Sequence, residues 1–294
     1  MADAAVRLRS HLVSAALVDE PLAGALFAIF ARHYSNVTWS RFLADLRDKD
    51  HVLLLRGPGP GGPVRGFSTQ KIMRARVEGR EVRAVFSGDT VIDRAYWGEQ
   101  QLVRSWCRYS GAVWAEVPEC PLYWLLISKG HRTYLYLPLF FRRYAPRPDG
   151  GLLPFEEAVG HALAVQAFGP AYRPEAGILE FPRPLGNLVP ELAEIPPGRR
   201  RDPRVAFFLA RNPGYRQGTE LVCLAPLEPG NLKGLAGRAF RDGARLGSVA
   251  SLAADTEARL GLDRAAFDPP GLESPGLAPA DHHPAHLQPV ESLG

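Results

Sequence analysis

Three cysteines, two methionines and a net charge of only +4 (35 Lys and Arg against 31 Asp and Glu) are the first limits on this chain of 294 residues. Cys107, Cys120 and Cys223 are odd in number and lack the spacing of a zinc site, so they read as reduced thiols, not a disulfide framework. The slight positive charge comes mostly from arginine and falls short of a nucleic-acid-sized basic surface, so no nucleic-acid partner is expected. No run approaches the roughly 18 apolar residues of a membrane span. Asp3, Arg7, Arg9, Asp19 and Glu20 spread charge through the first twenty residues, unlike a secretory leader, so the expected location is cytoplasmic. His282, His283 and His286 have metal-ligand chemistry. They sit in a tail (268–294) where nine of 27 residues are Pro or Gly, a composition that predicts disorder, so no metal is expected.

What is present is a well-punctuated α/β pattern. Pro21 to Tyr34 and Trp39 to Asp48 read as helices, and His51 to Arg56 as an apolar strand ending at a Pro/Gly-rich turn (58–63). Val64 to Val77 and Val82 to Ile92 read as two further long strands. Gly88-Asp89 interrupts the last of these and predicts a bulge. Beyond it, Leu102, Val103, Trp106 and Cys107 fall on one helical face while Gln101, Arg104 and Arg108 turn away. A strand feeding a helix through Trp97-Gly98 aims unpaired backbone N–H groups at whatever lies above the turn, a setting suited to phosphate.

Strand, bulge, strand end and then Tyr96-Trp97-Gly98 opening a helix resembles the acyl-CoA core of the GCN5-related N-acetyltransferase (GNAT) superfamily. The resemblance covers roughly residues 20 to 145. It implies a mixed, mainly antiparallel central sheet flanked by helices, an α/β fold of the α+β type. The family's motif is Arg or Gln, two residues, Gly, one residue, then Gly or Ala. In register stand Trp97, Gly98, Glu99, Gln100, Gln101 and Leu102, with Trp97 in place of the first residue and Gln100 and Leu102 in place of the small ones. The resemblance implies that Val91, Ile92 and this 97–102 segment bind the donor, either acyl-CoA or an acyl group on phosphopantetheine. The bulk at Gln100 and Leu102 hinders close approach of a pyrophosphate, which turns attention to an acyl carrier protein as donor.

Leu122 to Ser128 predicts a strand, Thr133 to Tyr144 an aromatic-rich helix, and Phe155 to Phe168 an amphipathic helix. Residues 180 to 203, with six prolines and Arg199-Arg200-Arg201, read as an exposed connection. Val205 to Tyr215 followed by Thr219 to Ala225 predicts a helix, a turn and a strand. Either the fold closes near 145 with a separate lobe after it, or 129–203 is an insertion and the fold closes near 228. The second is favoured, because the late strand needs a sheet to join. The expected organisation is a GNAT-like domain over 1–228, a helical extension over 229–267 and the tail.

Asp89 is the first candidate for a general base that accepts the proton of an attacking amine. A bulge aspartate bonded to local N–H groups is the alternative. Ser87 and Thr90 are lesser helpers, Trp97 either stacks on the donor or staples helix to sheet, and His131 is a second candidate base. His33 reads as a helix C-terminal histidine. The resemblance implies a tyrosine that protonates the leaving thiolate, with Tyr134, Tyr136, Tyr144 and Tyr215 available. Arg199 to Arg201 are a candidate dock for an acidic carrier protein. The activity implied is transfer of an acyl group from a thioester to a small-molecule or peptide amine. The alternative is a non-catalytic GNAT-like binding module.

Overall fold

The computed structural model describes residues 8–59, 61–182 and 186–260. The predicted tail and its histidines lie outside them. Strands β1 (Arg9–Ser14), β3 (His51–Arg56), β4 (Val64–Val77), β5 (Arg80–Ile92), β6 (Leu122–Ser128), β7 (Tyr172–Arg173), β8 (Ile178–Leu179) and β10 (Glu220–Pro226) form one sheet, in the order β1-β3-β4-β5-β6-β10-β8-β7. A two-residue ladder joins β2 (Tyr34–Ser35) to β9 (Asn187–Leu188). The β5–β6 step is parallel, and the other pairings of the described residues are antiparallel. A parallel step needs a crossover, supplied by α3 (Gln101–Glu116). This is a mixed, mainly antiparallel sheet flanked by helices, with the order of elements that the GNAT resemblance implies.

Central strands are apolar on both faces because both are covered. Val52 and Leu54 of β3, with Phe67 and Val91, pack under α1 (Glu20–Phe30) and α2 (Trp39–Arg47) through Leu26, Phe30 and Phe42. Farther along that face, α6 (Pro154–Phe168) sets Val159 and Leu163 against Met73, Ala84 and Leu125. On the opposite face, Leu53, Val85 and Trp124 meet Trp106, Tyr109 and Val113 of α3. The same core takes in Phe208 of α9 (Pro203–Arg211), Phe240 of α10 (Gly234–Ala244) and Leu252 of α11 (Val249–Leu260).

Two predicted segments differ. Thr133 to Tyr144 is not one helix but α4 (His131–Tyr134), α5 (Tyr136–Phe140) and an extended stretch. Phe141 bridges Leu232 and Ala145 bridges Leu224, and these backbone pairings pull the chain straight. Residues 180–203 are not simply exposed. They carry β9, α7 (Pro190–Ala193) and α8 (Pro197–Arg200), and bury Leu192, Ala193 and Ile195, whose apolar surface outweighs the prolines around it. The late strand does find its sheet: β10 lies between β6 and β8.

Helices α3 and α10 touch backbone to backbone. A Cβ added to Gly111 would lie 2.0 Å from the Phe240 carbonyl oxygen, and one on Gly243 would lie 1.8 Å from that of Arg108. Alanine is better than glycine in a free helix by about 1 kcal/mol. Here the clash dominates, and Gly111→Ala should cost about 1–3 kcal/mol of net stability. Thermal denaturation checks this. A raised melting temperature would mean that the helices are not in such contact.

Candidate active site

Pairing of β5 with β6 ends at Ser87–Leu126, and the two strands then part. The next two residues, Gly88 and Asp89, form the predicted bulge: Ser68 pairs with Thr90 and Gln70 with Ser87, so Thr69 alone opposes both. The fork opens into a cleft of about 900 Å3 between β5, β6, α1, α2 and α4. A buried network pins the fork's base. Trp106 Nε1 and Trp124 Nε1 each donate to Ser87 Oγ at 3.0 Å, and Ser87 donates to Gln70 Oε1 at 2.8 Å. Ser87 therefore ties two tryptophans together, and Thr90 bonds Ser68 at 2.6 Å.

Asp89 lines this cleft with Asp45, Lys49, Lys129, Glu220 and Tyr34. Lys49 lies across Gly88, where a Cβ would sit 2.8 Å from Lys49 Cε, and donates to Asp45 Oδ1 at 2.6 Å. Lys129 pairs with Glu220 at 3.2 Å, and both side chains are largely buried. Burial first, then the Asp45 carboxylate, pushes the Asp89 carboxyl up to about 7, with Lys129 and Lys49 pulling the other way. Burial raises Glu220 as well, with Lys129 opposing. Among the described residues no group of three or more His, Cys, Asp or Glu side chains forms a metal-ligand set.

The other predicted site residues divide. Val91, Ile92, Trp97, Gly98, Glu99, Leu102 and His131 line the cleft, whereas Gln100 and Gln101 do not. Gln101 Nε2 instead donates to Ser10 Oγ at 3.0 Å on the far side of the loop. The strand does not run straight into the helix. A 3-10 turn (Arg94–Tyr96) capped by Asp93 intervenes, and Gly98 adopts φ 95°, a conformation that favours glycine. Trp97 acts as a staple: its indole N–H donates to Ile92 O at 3.0 Å, and the Arg132 guanidinium stacks on the ring at 4.8 Å. His33 reaches that same oxygen with Nε2 at 3.0 Å and Ile29 O with Nδ1 at 2.9 Å.

Tyr134 and Tyr215 lie away from the cleft. Their hydroxyls donate to Pro146 O at 3.0 Å and Ala193 O at 3.1 Å, the satisfied bonds of packed core phenols. Tyr136 is the tyrosine of the predicted set that lines the cleft, and burial raises its hydroxyl pKa. Burial and the neighbouring Arg132 lower His131 to about 4, so its ring is neutral at pH 7 and a weaker proton acceptor than Asp89. Sequence reasoning missed Lys129 and Glu220, though each is a lone charge at the end of an apolar strand.

No family model matches the sequence, and no curated protein matches it. Solved structures similar to the chain include a GNAT family N-acetyltransferase from Escherichia coli in complex with CoA, at 19% identity and TM-score 0.33, covering 48% of this chain and 72% of that one. A probable N-acyltransferase from Enterococcus faecalis V583 is similar at 10% identity and TM-score 0.35, over 47% of this chain. A GCN5-related N-acetyltransferase from Kribbella flavida is similar at 15% identity and TM-score 0.33, over 47% of this chain. The match spans about a third of each of these last two proteins (33% and 34%). The fold class rests on the strand order above, and no residue's role is carried over from these structures.

Proposed function

We propose that the protein is an acyltransferase that moves an acyl group from a thioester to an amine, with Asp89 as general base. The observation that carries this reading is a carboxyl group on a strand bulge, at the mouth of a fork between parallel strands, whose pKa is raised to about 7. A group titrating there accepts a proton at neutral pH and still drives the transfer. The amine nitrogen bonds to the acyl carbon, the carbon–sulfur bond breaks, the amine's proton passes to Asp89, and the thiolate takes a proton. Tyr136, which lines the cleft, would supply it.

The donor is acyl-CoA or an acyl group on a carrier protein's phosphopantetheine, entering past Trp97 and Arg132. The exposed Arg199 to Arg201 would meet the acidic surface of a carrier protein. A second reading, a non-catalytic binding module, draws on Trp97, which occupies Ile92 O and stacks with Arg132 at the cleft.

Thermal shift with CoA, acetyl-CoA and a long-chain acyl-CoA tests the donor. A ligand at about 100 times its Kd should add about 2.7 kcal/mol. Mass spectrometry of the purified protein should find a bound pantetheine thiol or thioester. No stabilisation by any of the three, and no such co-purified species, would remove the thioester from this reading.

A further inference from the structure

The cleft is longer than the fork that opens it. Past Asp89, on the side away from Trp97, it runs on over β5 and β4 between α2 and the last turn of α6. Strand alternation decides what lines this arm. Ser87 points to the α3 side of the sheet, where it meets Trp106, so its neighbour Phe86 lies on the cleft side. Met73 of β4 and Ile127 of β6 share that face with Phe86. Phe168, which ends α6, meets Phe86 edge-on with ring centroids 5.7 Å apart. Gln166 Nε2 donates to Arg74 O at 3.1 Å and holds that last turn of α6 to β4.

The two ends of this arm differ in chemistry. Its floor is apolar and aromatic. Phe86 and Met73 are buried, whereas Ile127 and Phe168 are half-buried and line the cleft. The ammonium groups beside this floor are already engaged: Lys49, whose stem crosses Gly88, bonds Asp45, and Lys71 bonds Asp48 at 2.5 Å. At the near end, Asp45 and Glu220 both act on Asp89. Three carboxyl groups there face two ammonium groups, Lys49 and Lys129, an environment that favours one further cation.

Resting on the acyl-transfer reading of this cleft, we infer that the acceptor is a primary amine carried on an aromatic or bulky apolar body, with its nitrogen at Asp89 and its body in the arm between α2 and α6. The donor enters on the Trp97 side of Asp89, so the amine reaches the thioester carbon from the other side, along this arm. An alkylamine arrives as a cation at neutral pH, which suits the carboxyl groups at the near end. Behind it, a ring finds the faces and edges of Phe86 and Phe168, an arrangement that favours aromatic over merely greasy ligands. Phe86 precedes Asp89 by three residues, at most about 10 Å of strand, within reach of a ring joined to the nitrogen by a short alkyl spacer. A small polar amine would leave the apolar floor wet and lose that share of the binding.

Isothermal titration of the unmodified chain at pH 8, with and without CoA, measures this without any turnover. Phenylpropylamine should saturate one site and bind at least tenfold more tightly than propylamine. Phe168→Ala should remove most of that advantage and leave propylamine unchanged. Ala167→Trp, at an exposed position on the rim, should do the same by obstruction, and it serves if circular dichroism shows that Phe168→Ala unfolds the chain. No saturable binding of phenylpropylamine in either condition, equal affinity for the two amines, or an aryl preference that survives both variants would each overturn the inference. So would a loss of octanoyl-CoA affinity in Phe168→Ala with phenylpropylamine binding intact, because the arm then holds the donor's acyl chain. If phenylpropylamine binds as expected but neither acetyl-CoA nor octanoyl-CoA converts it to the amide, the amine site stands and acyl transfer falls.

Discussion

Asp89→Asn should lower the acyl-transfer rate by about 10²-fold or more without lowering the melting temperature. The change keeps the side chain's shape and removes its basicity. With wild type, the rate should rise with pH through about 7, as the carboxyl loses its proton, and this limb should vanish in the variant. Stability runs the other way. The folded carboxyl titrates above its unfolded value, so between the unfolded value near 4 and about 7 the native state holds the extra proton. Its contribution to stability therefore falls as pH rises across that window. The variant should lose this slope and gain stability relative to wild type above pH 7. Had Asp89 merely capped the bulge, Asn would lower stability by about 1–3 kcal/mol and activity would track the folded fraction. An unchanged rate in folded protein would remove Asp89 from the chemistry.

Lys129→Met should destabilise the fold by about 3–5 kcal/mol, because it strands the Glu220 carboxylate in the interior. Glu220 can escape by taking up a proton. Its pKa is already raised by burial and rises further without Lys129, so the loss should shrink as pH falls through the raised value. The double variant K129M/E220L removes both charges and should recover much of the stability, since apolar replacement of a buried pair is often neutral. Chemical denaturation of the three proteins at pH 5 and pH 8 measures all of this. A Lys129→Met midpoint within error of wild type at pH 8 would mean that the pair is solvated.

The local features of the site were legible in the sequence, and the distant ones were not. The Gly88-Asp89 interruption of an alternating strand signals its bulge directly, because no regular strand accommodates that pair cheaply. His51–Arg56, Val64–Val77 and Leu122–Ser128 are likewise set by apolar runs between turn residues, and form strands with the bounds that pattern predicts. By contrast, Tyr134 and Tyr136 are two residues apart and chemically identical. Which one faces the cleft depends on how the segment from α4 to α5 packs against the rest of the fold, which the spacing of the two residues does not state. The Trp97 indole bond and the Lys129–Glu220 pair are also products of tertiary approach, invisible to spacing rules.

The order in which the sheet is completed bears on how the chain comes into being. Asp89 in β5 and Lys129 just after β6 emerge early in synthesis, but Glu220 opens β10, which follows the whole stretch from α4 to α9. Closing so long a loop carries an entropic cost before any contact rewards it. Strand addition of this non-local kind is slow. During translation the nascent β6 therefore waits with an uncovered hydrophobic edge, and Lys129 has no counter-ion until the ribosome has released β10. Premature termination anywhere before Glu220 should leave an aggregation-prone partial sheet rather than a smaller stable fold.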